Sequence, residues 1–302
     1  MTRRRFAAAA IVLASLSLAR PIRVGAQQNL RSMYVSVVDQ AGSPVAGLGP
    51  SDFMVREDNA AREVLRVAPA DEPMQVAVLV DTSQTARHDI AHMRTALPPF
   101  VAALTRASDG ERKNQVAIIG FGERPTILAE YSISPAALQK GIDRIWPMPS
   151  SGPYLLDAIS EACQGFKKRE AQRPVIVAIA AEGEELSYLN YENVLDRLDA
   201  ASAPLYALML GTPSSSQSDE SRNRQIVLDR GTSSTGGYRE QLLTSMALEA
   251  RLKLLAGQLT HQYLVTYSRP ESLIPPERIT VAATKPGMTA RGTPAKPAKA
   301  AR

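Results

Sequence analysis

From Val76 to Leu210 the chain alternates short continuous apolar runs with segments of helical period. Val76-Ala-Val-Leu-Val80, Gln115–Phe121, Val175–Ala180 and Leu205–Leu210 are rich in Val, Ile, Ala and Leu, the pattern of strands buried on both faces. Between them, 86–106, 135–145, 154–168 and 191–200 repeat apolar residues at helical spacing, and 242–259 predicts a further helix. Pro98-Pro99 is expected to kink or divide the first of these helices. Thr126–Tyr131 reads as an antiparallel edge strand, and 211–224 as a polar, mobile loop. Strands alternating with helices imply an α/β fold: a doubly wound, mostly parallel sheet with helices on both faces.

The ends of the chain have other patterns. Tyr34–Val38, Asp52–Arg56 and Val64–Val67 are three short extended segments separated by turns at Gly42-Ser-Pro44, Gly49-Pro50 and Glu57-Asp-Asn59. They predict a small antiparallel β unit, too small to be stable alone. After the last helix, Gln262–Tyr267 predicts a final strand and Glu277–Ala283 one more. Residues 285–302 carry five basic groups, no acid, and Pro286, Pro294 and Pro297, a composition expected to be disordered. The boundaries are therefore a signal peptide over 1–26, a β-rich leader over 27–72, the α/β domain over 73–268, and a terminal strand with a basic tail over 269–302.

Charge changes this picture only at the start. Residues 1–26 hold five arginines and no acid, so the remainder balances at 30 basic and 30 acidic residues, and the overall surplus is no sign of nucleic-acid binding. A basic start, an uncharged run from Phe6 to Ala19 and small residues up to Ala26 predict a secretory signal cleaved after Ala26. Thr2-Arg-Arg-Arg5-Phe6 resembles the twin-arginine consensus, with Sec export as the alternative. The mature chain is expected in the periplasm or outside the cell. Cys163, the only cysteine, excludes an intramolecular disulfide and lines up with Leu156, Ile159 and Phe166 as core.

Asp81-Thr-Ser83-Gln-Thr85 closes the first buried strand with one carboxylate and two hydroxyls, hard oxygen donors of the kind Mg2+ accepts. The D-x-S-x-T pattern resembles the first loop of the metal-ion-dependent adhesion site of von Willebrand factor type A domains. The leader, Asp39-Gln-Ala-Gly42-Ser-Pro44-Val45-Ala-Gly47-Leu48 and then Asp52-Phe53, is similar to that of a bacterial secreted family in which a β unit precedes such a domain. Gly236-Gly237-Tyr238 and Gln262–Tyr267 are similar to the family's T-G-G and Q-Y-x-x-x-Y segments. The resemblance implies a protein-binding module, not an enzyme, whose partner meets the carboxyl-end rim of the sheet around Asp81, Ser83, Thr85 and Glu182. It also implies a second loop with Thr and a third with Asp. Here Pro153 stands at the Thr position and Glu182 at the Asp position, so the site is degenerate, with Mg2+ held weakly or not at all and Ser151 as a substitute hydroxyl.

Two rival readings remain open. His88-Asp-Ile-Ala-His92 resembles the zinc-protease H-E-x-x-H, which would make the protein a metal hydrolase. At 100° per residue, however, both imidazoles fall opposite Ile90, Met93 and Leu97 and point to solvent. The other reading is a structural envelope component with no ligand at the rim.

Overall fold

The computed structural model describes residues 29–106, 113–213, 218–270 and 274–296; the predicted signal peptide lies outside them. In chain order the strands are β1 (Asn29–Val38), β2 (Phe53–Glu57), β3 (Ala60–Arg62), β4 (Val64–Pro69), β5 (Met74–Val80), β6 (Gln115–Gly120) and β7 (Thr126–Ser132). They continue as β8 (Arg173–Ala181), β9 (Leu205–Leu210), β10 (Tyr238–Leu242), β11 (Tyr263–Arg269), β12 (Ile279–Ala283) and β13 (Thr289–Pro294). The helices are α1 (Ile90–Arg106), α2 (Pro135–Ile142), α3 (Leu155–Lys168), α4 (Tyr191–Ala201), α5 (Asp219–Ile226), α6 (Thr232–Thr235) and α7 (Leu248–Thr260).

The apolar runs form the middle of a six-stranded sheet of order β10-β9-β8-β5-β6-β7, parallel except for β7. Every residue of β8 and β9 is buried, as the apolar runs Val175–Ala181 and Leu205–Leu210 require. Alternate residues of β5 serve two cores. Val76, Val78 and Val80 pack with Met93, Leu97, Leu252 and Leu255 on the α1–α7 side. Ala77 and Leu79 pack with Leu156, Ile159, Cys163 and Leu198 on the α3–α4 side. Pro98 and Pro99 do not divide α1. Ile90, Met93, Leu97, Phe100, Val101 and Leu104 are all buried along it. Roughly 1.5–3 kcal/mol for each such side chain outweighs about 3 kcal/mol per interior proline.

The β unit is not a leader alone. Strand β1 lies between β13 and β11, β4 pairs on the far side of β11, and β12-β2-β3 form a second sheet. Both enclose a core of Met33, Val35, Val37, Phe53, Val55, Val265 and Tyr267. The two ends of the chain thus build one unit, and the α/β domain is inserted between β4 and β11. The expected disorder from residue 285 fails for Thr289–Pro294, which pairs with Met33–Val38. That segment has little apolar surface of its own, but β1 offers it an open edge on which its backbone groups are satisfied. Two further expectations are corrected. The polar stretch 211–224 contains the start of α5, capped by Ser218, whose hydroxyl accepts from Ser221 N at 3.2 Å. The helix expected from Leu242 begins at Leu248, because Tyr238–Leu242 extends the sheet beside β9.

Arg173, at the start of β8, joins the two units. Its guanidinium donates to Ala70 O (3.1 Å), Glu72 O (2.8 Å), Leu259 O (3.0 Å) and Gln262 Oε1 (2.7 Å). It also lies over the Tyr34 ring, 4.9 Å from the centroid.

Candidate functional site

Strands β5 and β8 are neighbours, but the chain leaves β5 towards β6 and β8 towards β9. The loops after these two strands therefore part over the β5/β8 boundary, the place where open α/β sheets form a crevice. Asp81 sits there, fully buried. Its Oδ1 accepts from Ser83 N at 2.8 Å and its Oδ2 from Ala181 N at 3.1 Å, so one carboxylate ties the loops after β5 and β8 together. Burial raises its pKa, while Ser83, the Ala181 N–H and the charge of Arg224 oppose the rise.

Ser83 is the N-cap of a 3-10 turn over Gln84–His88. Its Oγ is completely buried and in no well-formed hydrogen bond among the described residues. Thr85 is exposed, its methyl so near Gly183 that a Cβ there would fall 2.8 Å from it. The loop before α3 closes on the first loop through Met148 N to Thr82 O (2.8 Å) and Gln84 N to Ser151 O (3.3 Å). Ser151 directs its hydroxyl to Met148 O at 2.7 Å. Pro153 brings no hydroxyl, and its carbonyl accepts from Leu186 N at 2.9 Å. The folding thus brings together the three loops that carry Asp81, Ser83, Thr85, Ser151 and Glu182.

Glu182 is held by positive charge from within the chain. Its Oε2 pairs with Arg224 Nη2 at 2.9 Å and its Oε1 with Arg239 Nη2 at 3.3 Å. The Arg224 and Glu182 side chains are 1% and 3% exposed, and Arg239 is 20% exposed. Arg239 also reaches Gln225 Oε1 (2.5 Å) and Asp229 Oδ1 (3.1 Å). Glu185, three residues on, is buried as well. Its Oε1 accepts from Leu156 N (3.4 Å) and Ser187 N (3.3 Å), capping the first turn of α3, and burial pushes its pKa up to about 7.

This donor set does not fit a hard divalent cation. Mg2+ needs oxygens disposed octahedrally. Here one loop lacks its hydroxyl, both Asp81 oxygens accept backbone N–H groups, and Glu182 faces two guanidinium groups. Among the described residues no group of three or more His, Cys, Asp or Glu is arranged to hold a metal ion. His88 and His92 do not form a helical i, i+4 pair, because His88 ends the 3-10 turn and α1 starts at Ile90. Both rings are exposed, and His88 Nε2 accepts from Arg87 Nε at 2.8 Å.

Arg224 and Arg239 were not legible as site residues. Arg224 lies in a stretch whose low hydrophobicity reads as loop, although Ser218 followed by Asp219 and Glu220 is a helix-start signal. Arg239 belongs to a polar edge strand.

The family model for the von Willebrand factor type A domain matches residues 76–183. No curated protein matches the chain. Among solved structures, a von Willebrand factor type A protein from Catenulispora acidiphila is 10% identical with a TM-score of 0.52, over 87% of this chain and 73% of that one. Proximal thread matrix protein 1 of the mussel byssus is 16% identical with a TM-score of 0.50, over 71% of this chain and 50% of that one. The chain therefore spans about half the length of the mussel protein. One structure of the mussel protein has a zinc-occupied adhesion-site motif.

Proposed function

Since residues 76–183 form a von Willebrand factor type A domain, a fold family of protein-interaction modules, we propose that this chain is a secreted or periplasmic protein-binding module with a degenerate adhesion site. Its protein partner docks on the rim at the carboxyl ends of the parallel strands. The observation that carries this reading is the set of large apolar side chains on the loops after β8 and β10. Tyr188 is 91% exposed, Met246 77%, Leu243 74% and Leu186 39%. Large apolar side chains left exposed on two loops at the same end of a sheet suit an interaction surface. The polar groups at this end of the sheet are tied to one another, which suits a support for docking better than a reaction centre.

Export rests on residues 1–26, and no helix among the described residues is long and apolar enough to cross a membrane. N-terminal sequencing of envelope protein should begin at Gln27; an intact Met1 would exclude the signal peptide. The rim is tested by pull-down from native envelope extract with wild type, Tyr188→Asp/Leu243→Asp, and Ile133→Asp. Ile133 is exposed between β7 and α2, at the opposite end of the sheet. A prey lost only with the rim variant supports the assignment. Equal capture by all three sinks it.

A further inference from the structure

We infer that Arg224 stands where a metal-loaded domain of this fold holds its ion: the guanidinium supplies the positive charge from within the chain and closes the site to divalent cations. This rests on reading the rim as a degenerate adhesion site. It adds the identity of the group that replaced the ion, and with it a metal-independent mode of partner binding.

The geometry is specific. Of the three loops meeting at the β5/β8 boundary, the first supplies Asp81 and the third Glu182, two buried carboxyl groups whose ionised forms are favoured by a nearby positive charge. Arg224 reaches the site from α5, outside all three loops, and its Nη2 lies 2.9 Å from Glu182 Oε2. Its charge also acts on Asp81 and on Glu185. Arg239 approaches Glu182 from β10 on the other side and is itself anchored by Asp229 and Gln225. A planar guanidinium is suited to this task, because it carries permanent charge and several fixed donors.

A divalent ion entering here would meet that fixed charge, and restoring the missing oxygen donors would not remove it. Pro153→Thr with Glu182→Asp replaces the donor types the resemblance calls for, yet leaves Arg224 in place. Partner capture at the rim is accordingly independent of Mg2+ and unaffected by chelators.

The experiment is an Mn2+ titration of the full chain, monitoring free Mn2+ by electron paramagnetic resonance. Wild type and Pro153→Thr/Glu182→Asp should show no saturable binding through the millimolar range. Adding Arg224→Ser to the pair should create a site at least about tenfold tighter than either. Saturable binding by the wild type, or by the double variant with Arg224 intact, overturns the inference. So does a folded triple variant that binds no Mn2+. Should the triple variant not fold, thermal melting of the single variants decides. Arg224→Ser should melt below wild type and recover in part with millimolar Mn2+, since only the folded state gains a site. Arg224→Lys, which keeps the charge, should ignore the ion, as should wild type. An Arg224→Ser melting curve unmoved by Mn2+ overturns the proposal. These readouts do not depend on any partner, so they can fail while rim capture stands, and the reverse.

Discussion

Arg173 and Arg224 are both buried arginines, one at the amino end of the central sheet and one at its carboxyl end. Their surroundings differ in kind. Arg173 is held by three backbone carbonyls and an amide oxygen, with no carboxylate in hydrogen-bond contact among the described residues. One of these carbonyls, Leu259 O, belongs to the last turn of α7, where the helix dipole favours a cation. Burial lowers its pKa to about 10, which still leaves it charged at neutral pH. Arg224 instead pairs with a buried carboxylate that a second arginine shares. At the amino end, then, a cation fixes the path of three chain segments and welds the β unit to the α/β domain. At the carboxyl end, charges cancel among themselves. The same residue type is a joint in one place and a neutraliser in the other.

The largest test is at the joint. Arg173→Met leaves several buried acceptors unmet, at about 1–3 kcal/mol each before relaxation, so a loss of about 3–5 kcal/mol is expected in urea unfolding. A loss below about 1 kcal/mol would mean that water takes over these carbonyls and that no weld exists.

Strand β13 belongs to the same end. Truncation after Thr284 removes its pairing with β1, the Thr293 Oγ1 bond to Thr235 O (2.6 Å) and the Lys296 bond to Ala171 O (2.8 Å). A loss of at least about 2 kcal/mol is expected, from unpaired buried backbone and side-chain groups together. Truncation after Lys296 should change nothing measurable. Equal stability of the two products would break the picture of a unit built from both chain ends.

The neutraliser is tested by a double-mutant cycle. Arg224→Met removes one of the two arginines that pair with the buried Glu182, and should cost about 2 kcal/mol, less than the 3–5 typical of a fully broken buried pair. Arg224→Met with Glu182→Leu should cost less than Arg224→Met alone, because both charges are gone. Strictly additive losses would show that the two side chains do not act as a pair.

The smallest effect is in pH. The Glu185 carboxyl, ordinarily at 4.5, is raised to about 7 by burial. The folded state therefore holds a proton that the unfolded state has released between those values, and this contribution to stability is full below 4.5 and falls as pH rises to about 7. The slope is at most about 1.4 kcal/mol per pH unit. Glu185→Gln should flatten the stability profile across that window; an unchanged profile would assign it to another group.

Much of this architecture was readable without coordinates. The runs at β5, β8 and β9 admit little besides strands covered on both faces, since so many consecutive apolar side chains cannot be left in water. Asp81 was placed at the crevice by its position after the first such run, and the departures at Pro153 and Glu182 were visible as residue types. Strand β10, Tyr238-Arg-Glu-Gln-Leu242, was missed because all its side chains but Leu242 are only half-buried and its strand character comes from pairing with β9. The prolines of α1 misled because a local cost was overridden by the core the helix covers.

The sequence by itself therefore determined the sheet's buried strands, the helical faces and the loop that bears Asp81, all of them consequences of local periodicity and the hydrophobic effect. Only the tertiary structure decided that residues 289–294 pair with 33–38 and that Arg224 meets Glu182 across 42 positions of chain. Neither contact leaves a local signature. A strand edge and a buried carboxylate each call for a partner, but which segment supplies it depends on where the folded backbone brings the chain.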